Sequence, residues 1–239
     1  ANIMCSMAAD FEAANATYSN GLEGTACEIS GEIEAVVVKD YDACGGTITV
    51  TYNGKDECDR DLEAGPFVIT VDPAPEAEVM APQFPLDIEC SDAAGFEAAN
   101  ATYSNGLEET ACEISGEIEA VVVKDYDACG GTITITYNGK DECERDLEAG
   151  PYTIEVKPAP APEVSAPEFS DKIACADAAG FEAANATYTN GLTGLCELSG
   201  ELEANVVKEY DACGGLITIS YNGEDACGNP LSAGPYYIE

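Results

Sequence analysis

Apolar and polar residues alternate along most of this chain, and a period of two marks half-buried strands. In Gly46-Thr-Ile-Thr-Val-Thr-Tyr52, Ile48, Val50 and Tyr52 fall on one face and the threonines on the other. In Glu28-Ile-Ser-Gly-Glu-Ile-Glu-Ala-Val36, the pattern turns Ile29, Ile33 and Ala35 inward and Glu28, Glu32 and Glu34 outward. Phe67, Ile69 and Val71 alternate again in a closing strand. Two weaker strands are expected, one ending at Cys90 and one around Phe96 to Tyr103. Asn53-Gly54 and Ala64-Gly65-Pro66 read as turns. No segment carries a helical period. The chain is therefore expected to be all-β.

This pattern is written three times. Cys5, Cys27, Cys44 and Cys58 recur as Cys90, Cys112, Cys129 and Cys143, and again as Cys175, Cys196, Cys213 and Cys227. Between Phe11–Pro66 and Phe96–Pro151 only Gly24/Glu109, Val50/Ile135 and Asp59/Glu144 differ. Units of roughly 80 residues can each bury one small core, and five to seven short strands per unit suggest an Ig-like β-sandwich. The expected domains are residues 1–73, 74–158 and 159–239. They are separated by Asp72-Pro-Ala-Pro-Glu-Ala-Glu78 and Lys157-Pro-Ala-Pro-Ala-Pro-Glu163, which favour semi-rigid polyproline-II spacers. The first repeat lacks the lead-in that Ala77–Pro85 gives the second, and the last stops within its closing strand. Both ends read as cuts through a longer array, with any targeting segment outside this chain.

The net charge of −37, from 46 carboxylates against nine cations, excludes nucleic acid and anionic membranes as partners. It favours solubility and mutual repulsion. Twelve cysteines with no CxxC pair and no histidine read as disulfides rather than zinc or redox sites. Disulfides imply an oxidising, extracellular setting. No apolar run is long enough to span a bilayer.

Within one repeat, Cys44 and Cys58 flank a strand whose seven residues span about 23 Å, against the roughly 7 Å limit between disulfide-bonded Cα atoms. Cys27 and Cys44 lie at opposite ends of another strand. The scheme left inside each repeat pairs first with third and second with fourth. The expected bonds are Cys5–Cys44, Cys27–Cys58, Cys90–Cys129, Cys112–Cys143, Cys175–Cys213 and Cys196–Cys227.

The segments Ala94-Gly-Phe-Glu-Ala-Ala-Asn-Ala-Thr-Tyr-Ser-Asn-Gly106, Ala111-Cys-Glu-Ile-Ser-Gly116, Tyr126-Asp-Ala-Cys-Gly-Gly-Thr-Ile-Thr-Ile-Thr136 and Tyr152-Thr-Ile-Glu-Val-Lys-Pro-Ala-Pro160 resemble HYR-like (hyalin-repeat-related) Ig-fold modules, which stand in tandem in large surface adhesins of Bacteroidota. Tyr126-Asp-Ala-Cys-Gly-Gly131 is the most specific match. Thr136-Tyr-Asn-Gly-Lys-Asp-Glu-Cys-Glu-Arg145 departs from the family's aromatic-rich strand and Asp-Ala-Cys-Gly-Arg-like segment, and Asp225-Ala-Cys-Gly-Asn229 comes closer to it. The resemblance implies a secreted, cell-surface adhesin or filament, exported by the type IX route, in which such modules act as spacers.

Catalysis finds no support. Without histidine the usual Ser/His and Cys/His nucleophiles cannot be assembled. The acidic loop Lys55-Asp-Glu-Cys-Asp-Arg-Asp-Leu-Glu63 carries oxygen ligands for calcium, with Asp56, Asp59, Asp61, Asp141 and Asp146 as the candidates, but lacks EF-hand spacing. Glu76, Glu78 and Glu163 near the linkers form a second calcium option. Asn15, Asn100 and Asn185 stand in Asn-Ala-Thr sequons, candidates for glycosylation. Tyr18, Tyr103 and Tyr188 recur at one register and could stack on sugar or pack a turn.

The expected role is a stalk or spacer segment of an extracellular adhesin or surface filament, without enzymatic activity. Its partners are other repeats of the same chain or filament and a surface glycan or host surface. A calcium- or glycan-binding module and a self-assembling filament subunit are the alternatives.

Overall fold

The computed structural model describes all 239 residues and is all-β apart from short helical turns. The first repeat runs through β1 (Asn2–Met4), a one-turn helix α1 (Cys5–Ala8), β2 (Ala16–Ser19), β3 (Ser30–Ile33), β4 (Ala35–Asp42), β5 (Gly45–Lys55) and β6 (Asp61–Asp72). The second gives β7 (Glu78–Met80), β8 (Asp87–Ile88), α2 (Cys90–Ala93), β9 (Ala101–Ser104), β10 (Ser115–Ile118), β11 (Ala120–Asp127), β12 (Gly130–Lys140) and β13 (Asp146–Val156). The third gives β14 (Glu163–Ser165), α3 (Cys175–Ala178), β15 (Ala186–Thr189), β16 (Ser199–Leu202), β17 (Ala204–Asp211), β18 (Gly214–Glu224) and β19 (Pro230–Ile238).

Each repeat builds one long and one short sheet. In the first, β5 pairs antiparallel with β4 and β6, β1 runs parallel to β6, and β2–β3 form a separate hairpin. The later repeats follow with the orders β11-β12-β13-β8 and β17-β18-β19, beside β10-β9-β7 and β14-β15-β16. The period-two reading of the central strand holds: Ile48 and Val50 are buried, as are Ile133, Ile135 and Tyr137. Phe67 departs from it, at 55% exposed. Its counterparts Tyr152 and Tyr236 stack against Phe84 and Phe169 at 5.5 and 5.6 Å, whereas Phe67 meets Tyr52 edge-on at 6.2 Å.

Three local expectations are corrected. Glu28–Val36 is not one strand. The chain changes sheets at Glu34, with β3 pairing to β2 and β4 to β5, so the alternation keeps phase while the partner changes. Asn53-Gly54 lies inside β5 and Ala64-Gly65-Pro66 inside β6, where Gly65 (φ +104°) sits opposite a register shift between Val50 and Tyr52. The reversal is made instead by Asp56–Arg60, with Asp59 in the left-handed region. Finally, each repeat's first cysteine opens a helical turn, too short to show a period in sequence.

The repeat boundaries stay legible in the order of elements, but the compact units cut across the second repeat. One unit comprises Ala1–Pro82, Ala99–Val121 and Thr136–Gly150, the other Gln83–Ala98, Val122–Ile135 and Pro151–Glu239. The first unit contains a core of Cys5, Ala8, Ala43, Ile48, Val71 and Ala74 closed by Cys112 and Ile114. The second contains Ala178, Ala186, Leu202, Ile217, Ile219, Tyr221, Leu231 and Ile238.

Candidate functional site: a doubly bonded joint between repeats

The cysteines do not close each repeat on itself. The bonds are Cys5–Cys112 and Cys44–Cys143 in one unit, and Cys90–Cys196 and Cys129–Cys227 in the other. Cα atoms are 5.2 to 5.9 Å apart, within ordinary disulfide reach. The rule is uniform. A repeat's first cysteine joins the next repeat's second, and its third joins the next repeat's fourth. All six expected intra-repeat pairs are thereby overturned, Cys5–Cys44, Cys90–Cys129, Cys112–Cys143 and Cys196–Cys227 by bonds to a neighbour. Cys27–Cys58 and Cys175–Cys213 are not formed, and all four of these thiols are free and exposed. Strand length excludes Cys44–Cys58 within a repeat, but Cys27 and Cys44 are separated by the break between β3 and β4 and not by one strand, and strand length says nothing of a partner one period away.

Local sequence explains how the joint is held. In Tyr41-Asp-Ala-Cys-Gly-Gly46, the Asp42 carboxylate accepts the Cys44 N–H at 2.8 Å and fixes the turn carrying that sulfur. Ala43 is buried, and its carbonyl accepts the N–H of Ala74. Gly45 (φ +102°) admits the β6 backbone, since a Cβ there would lie 2.8 Å from the Val71 carbonyl oxygen. The segment after β6 is therefore part of the joint and not a free spacer. Ala74 is 3% exposed, and Arg145 donates to the carbonyls of Ala74 and Pro75 at 2.8 and 3.3 Å. The other unit repeats the backbone contact, with the Ala159 N–H donating to Ala128. There Asn229 stands where the second repeat has Arg145.

The Asp56–Arg60 reversal positions the fourth cysteine. Asp56, Asp141 and Asp225 are the chain's buried acidic side chains. Asp141 accepts the N–H groups of Cys143 and Arg145 at 2.8 and 3.0 Å and the Arg145 Nε at 2.8 Å. Burial pushes its carboxyl up, but the Arg145 backbone and guanidinium and the Cys143 N–H outweigh burial and hold it below the usual 3.8. A group lowered on folding stabilises the folded state above its unfolded value and loses that contribution as pH falls through the folded one. The stability lost in Asp141→Asn is therefore expected to be greatest at neutral pH and to shrink below about pH 3.8. Parallel denaturant titrations of variant and parent at pH 7 and pH 3 check this. A pH-independent difference would remove the charge from the explanation.

The calcium candidates are not brought together. Asp56 and Asp141 are committed to their own turns, Asp61 lies 3.7 Å from Lys55, and Asp59 and Asp146 are exposed. No group of three or more acidic or cysteine side chains is arranged to hold a metal ion. Asn15, Asn100 and Asn185 are exposed just before β2, β9 and β15, each donating to a carboxylate on the paired strand, Glu32, Glu117 and Glu201.

Tyr18, Tyr103 and Tyr188 lie over the glycine opposite them, Gly31, Gly116 and Gly200. A methyl group on Gly116 would meet the Tyr103 hydroxyl at 2.6 Å and the ring at 2.7 Å. Gly116→Ala is expected to cost about 1–3 kcal/mol by overpacking. Chemical denaturation measures it, and an unchanged midpoint would show that the ring is free to leave. A further ring with a fixed role lay outside the sequence reading: the hydroxyl of Tyr137, fully buried, donates to the Ala99 carbonyl at 2.7 Å. Tyr221 does the same to Ala184.

The cations that the sequence leaves so scarce serve the fold. Lys39, Lys124 and Lys208 donate to the carbonyls of Ala9, Ala94 and Ala179 at the ends of the helical turns, and Lys157 bridges Asp87 and Glu89 at 2.7 and 3.0 Å. No helix is long and apolar enough to cross a membrane, and four disulfides point to an oxidising extracellular environment. No family model, curated protein or solved structure matches this chain.

Proposed function

We propose that this chain is a stalk or spacer segment of an extracellular adhesin or cell-surface filament, built from Ig-like repeats that are bolted to one another. The observation that carries the reading is the pair of disulfides from each repeat to the next. Bonds inside a repeat protect only that repeat, whereas bonds between repeats route tension along the chain through covalent links. Near-identity of the first two repeats supports it, because copying a unit changes length and not chemistry. The resemblance to HYR-like surface modules points the same way. The charge of −37 keeps such segments soluble and apart from their neighbours.

A spacer has no ligand of its own. Immobilised chain exposed to millimolar calcium, and separately to cellulose, chitin and mucin glycans, is expected to take up none of them saturably. Saturable glycan uptake that Tyr103→Ala abolishes, or calcium uptake at one ion per repeat, would replace the spacer with a binding module.

A further inference from the structure

The joint is made twice within residues 1–239, and four of its cysteines stand free there, Cys27 and Cys58 in the first repeat and Cys175 and Cys213 in the third. On the third repeat, Ile173, Cys175, Ala178, Tyr210, Ile217 and Ile238 line an open apolar cleft. Their counterparts in the first repeat, Ile3, Cys5, Ala8, Tyr41, Ile48 and Ile69, form the core that Cys112 and Ile114 close. Cys5 is 2% exposed, whereas Cys175 and Cys213 are exposed.

The first repeat presents the opposite half. Cys27 and Cys58 are exposed, where Cys112 is buried and bonded and Cys143 is bonded. Leu22 is 50% exposed, while Leu107 packs into the joint. The Arg60 side chain is 62% exposed against 24% for Arg145. The residues of this half match those of the second repeat, apart from Gly24 for Glu109 and Asp59 for Glu144.

We infer that a second copy of this chain occupies the cleft, head to tail, with Cys175 bonded to Cys27 and Cys213 to Cys58 of the neighbouring copy. The inference rests on the spacer reading and names its partner. The internal joints specify both the pairing rule and the apolar contact. Each bond forms by exchange with a small-molecule disulfide such as oxidised glutathione. One protein thiolate attacks it and releases one glutathione thiol. The second thiolate then attacks the protein sulfur of the mixed disulfide and releases the other. Two protein thiols are oxidised and one glutathione disulfide is reduced, twice per joint.

The test uses the whole chain, isolated with its internal bonds intact and incubated in a glutathione redox buffer as an equal mixture of isotopically light and heavy protein. Non-reducing gels are expected to show a ladder of oligomers. Peptide mapping is expected to find Cys27–Cys175 and Cys58–Cys213 linking light to heavy chains. The Cys27→Ser/Cys58→Ser variant mixed with the Cys175→Ser/Cys213→Ser variant is expected to stop at dimers. Monomers alone, or oligomers linked Cys175–Cys175 or Cys27–Cys213, would overturn the inference. The same map reports Cys5–Cys112 and Cys44–Cys143. If those are present without oligomers, assembly fails and the spacer stands. If they are absent, the spacer reading fails too.

Discussion

Pulled by its two ends under oxidising conditions, this chain is expected to reach an end-to-end length of no more than roughly 130 Å, even with every strand unfolded. The shortest covalent path runs from Ala1 to Cys5, crosses to Cys112, follows the backbone to Cys129, crosses to Cys227 and ends at Glu239. That path holds about 33 peptide units, each adding ~3.3–3.6 Å at full extension. With the bonds reduced, all 239 residues can extend, to roughly 800 Å. Bonds closed within repeats would leave a path of about 120 residues, roughly 420 Å. Single-molecule force measurements before and after reductant therefore separate three cases by lengths that do not overlap. An oxidised molecule reaching 400 Å would contradict the joint.

Reduction is expected to lower the thermal midpoint by at least roughly 15 °C. The bonds close sequence separations of 98 to 107 residues. A loop of about 100 residues is associated with about 4.7 kcal/mol of stabilisation in the chain-entropy account. The second bond of each joint adds less, because the first already confines the same segments. Even one bond per unit is comparable to the 5–15 kcal/mol net stability typical of a domain. Each kcal/mol moves the midpoint by roughly 4–8 °C at 60–100 residues and 2–4 °C at 150–250, and each compact unit here holds about 120. Calorimetry with and without reductant measures the shift. A change below about 5 °C would mean that packing around Ile114 and Leu198 holds the joints without the sulfurs.

Much of this architecture was legible in the sequence. The alternation at Ile48, Val50 and Tyr52 identified the central strand, and the register of the cysteines identified the repeat. The pairing was not legible, for a physical reason. Strand length can exclude Cys44–Cys58 because one extended segment separates them. It says nothing about Cys44 and Cys143, whose separation depends on how two repeats pack. Cys27 and Cys112 stand in nearly the same local sequence, Gly-Thr-Ala-Cys and Glu-Thr-Ala-Cys, yet one is free and the other bonded. Local sequence cannot carry that difference, because the bond depends on a cysteine of another repeat, as Cys112 depends on Cys5.

The turns failed differently. Asn53-Gly54 has hairpin chemistry, but the Asp56 carboxylate gathers the N–H groups of Cys58 and Arg60 and moves the reversal four residues on. An aspartate two residues before the fourth cysteine in all three repeats was the signal available. The break between β3 and β4 was hidden because the alternation keeps phase across Glu34, and in the Val36-Val37-Val38 run that follows Val37 alone turns inward.

The measurement closest to the central claim is a disulfide map of the non-reduced chain. Trypsin cuts after Lys39, Lys55, Lys140 and Arg145. The peptide Asp40–Lys55 is expected to be linked to Asp141–Arg145, whose Glu144 distinguishes it from Asp56–Arg60 with Asp59. Asp40–Lys55 linked instead to the peptide containing Cys5 would restore bonds closed within each repeat and contradict the joint.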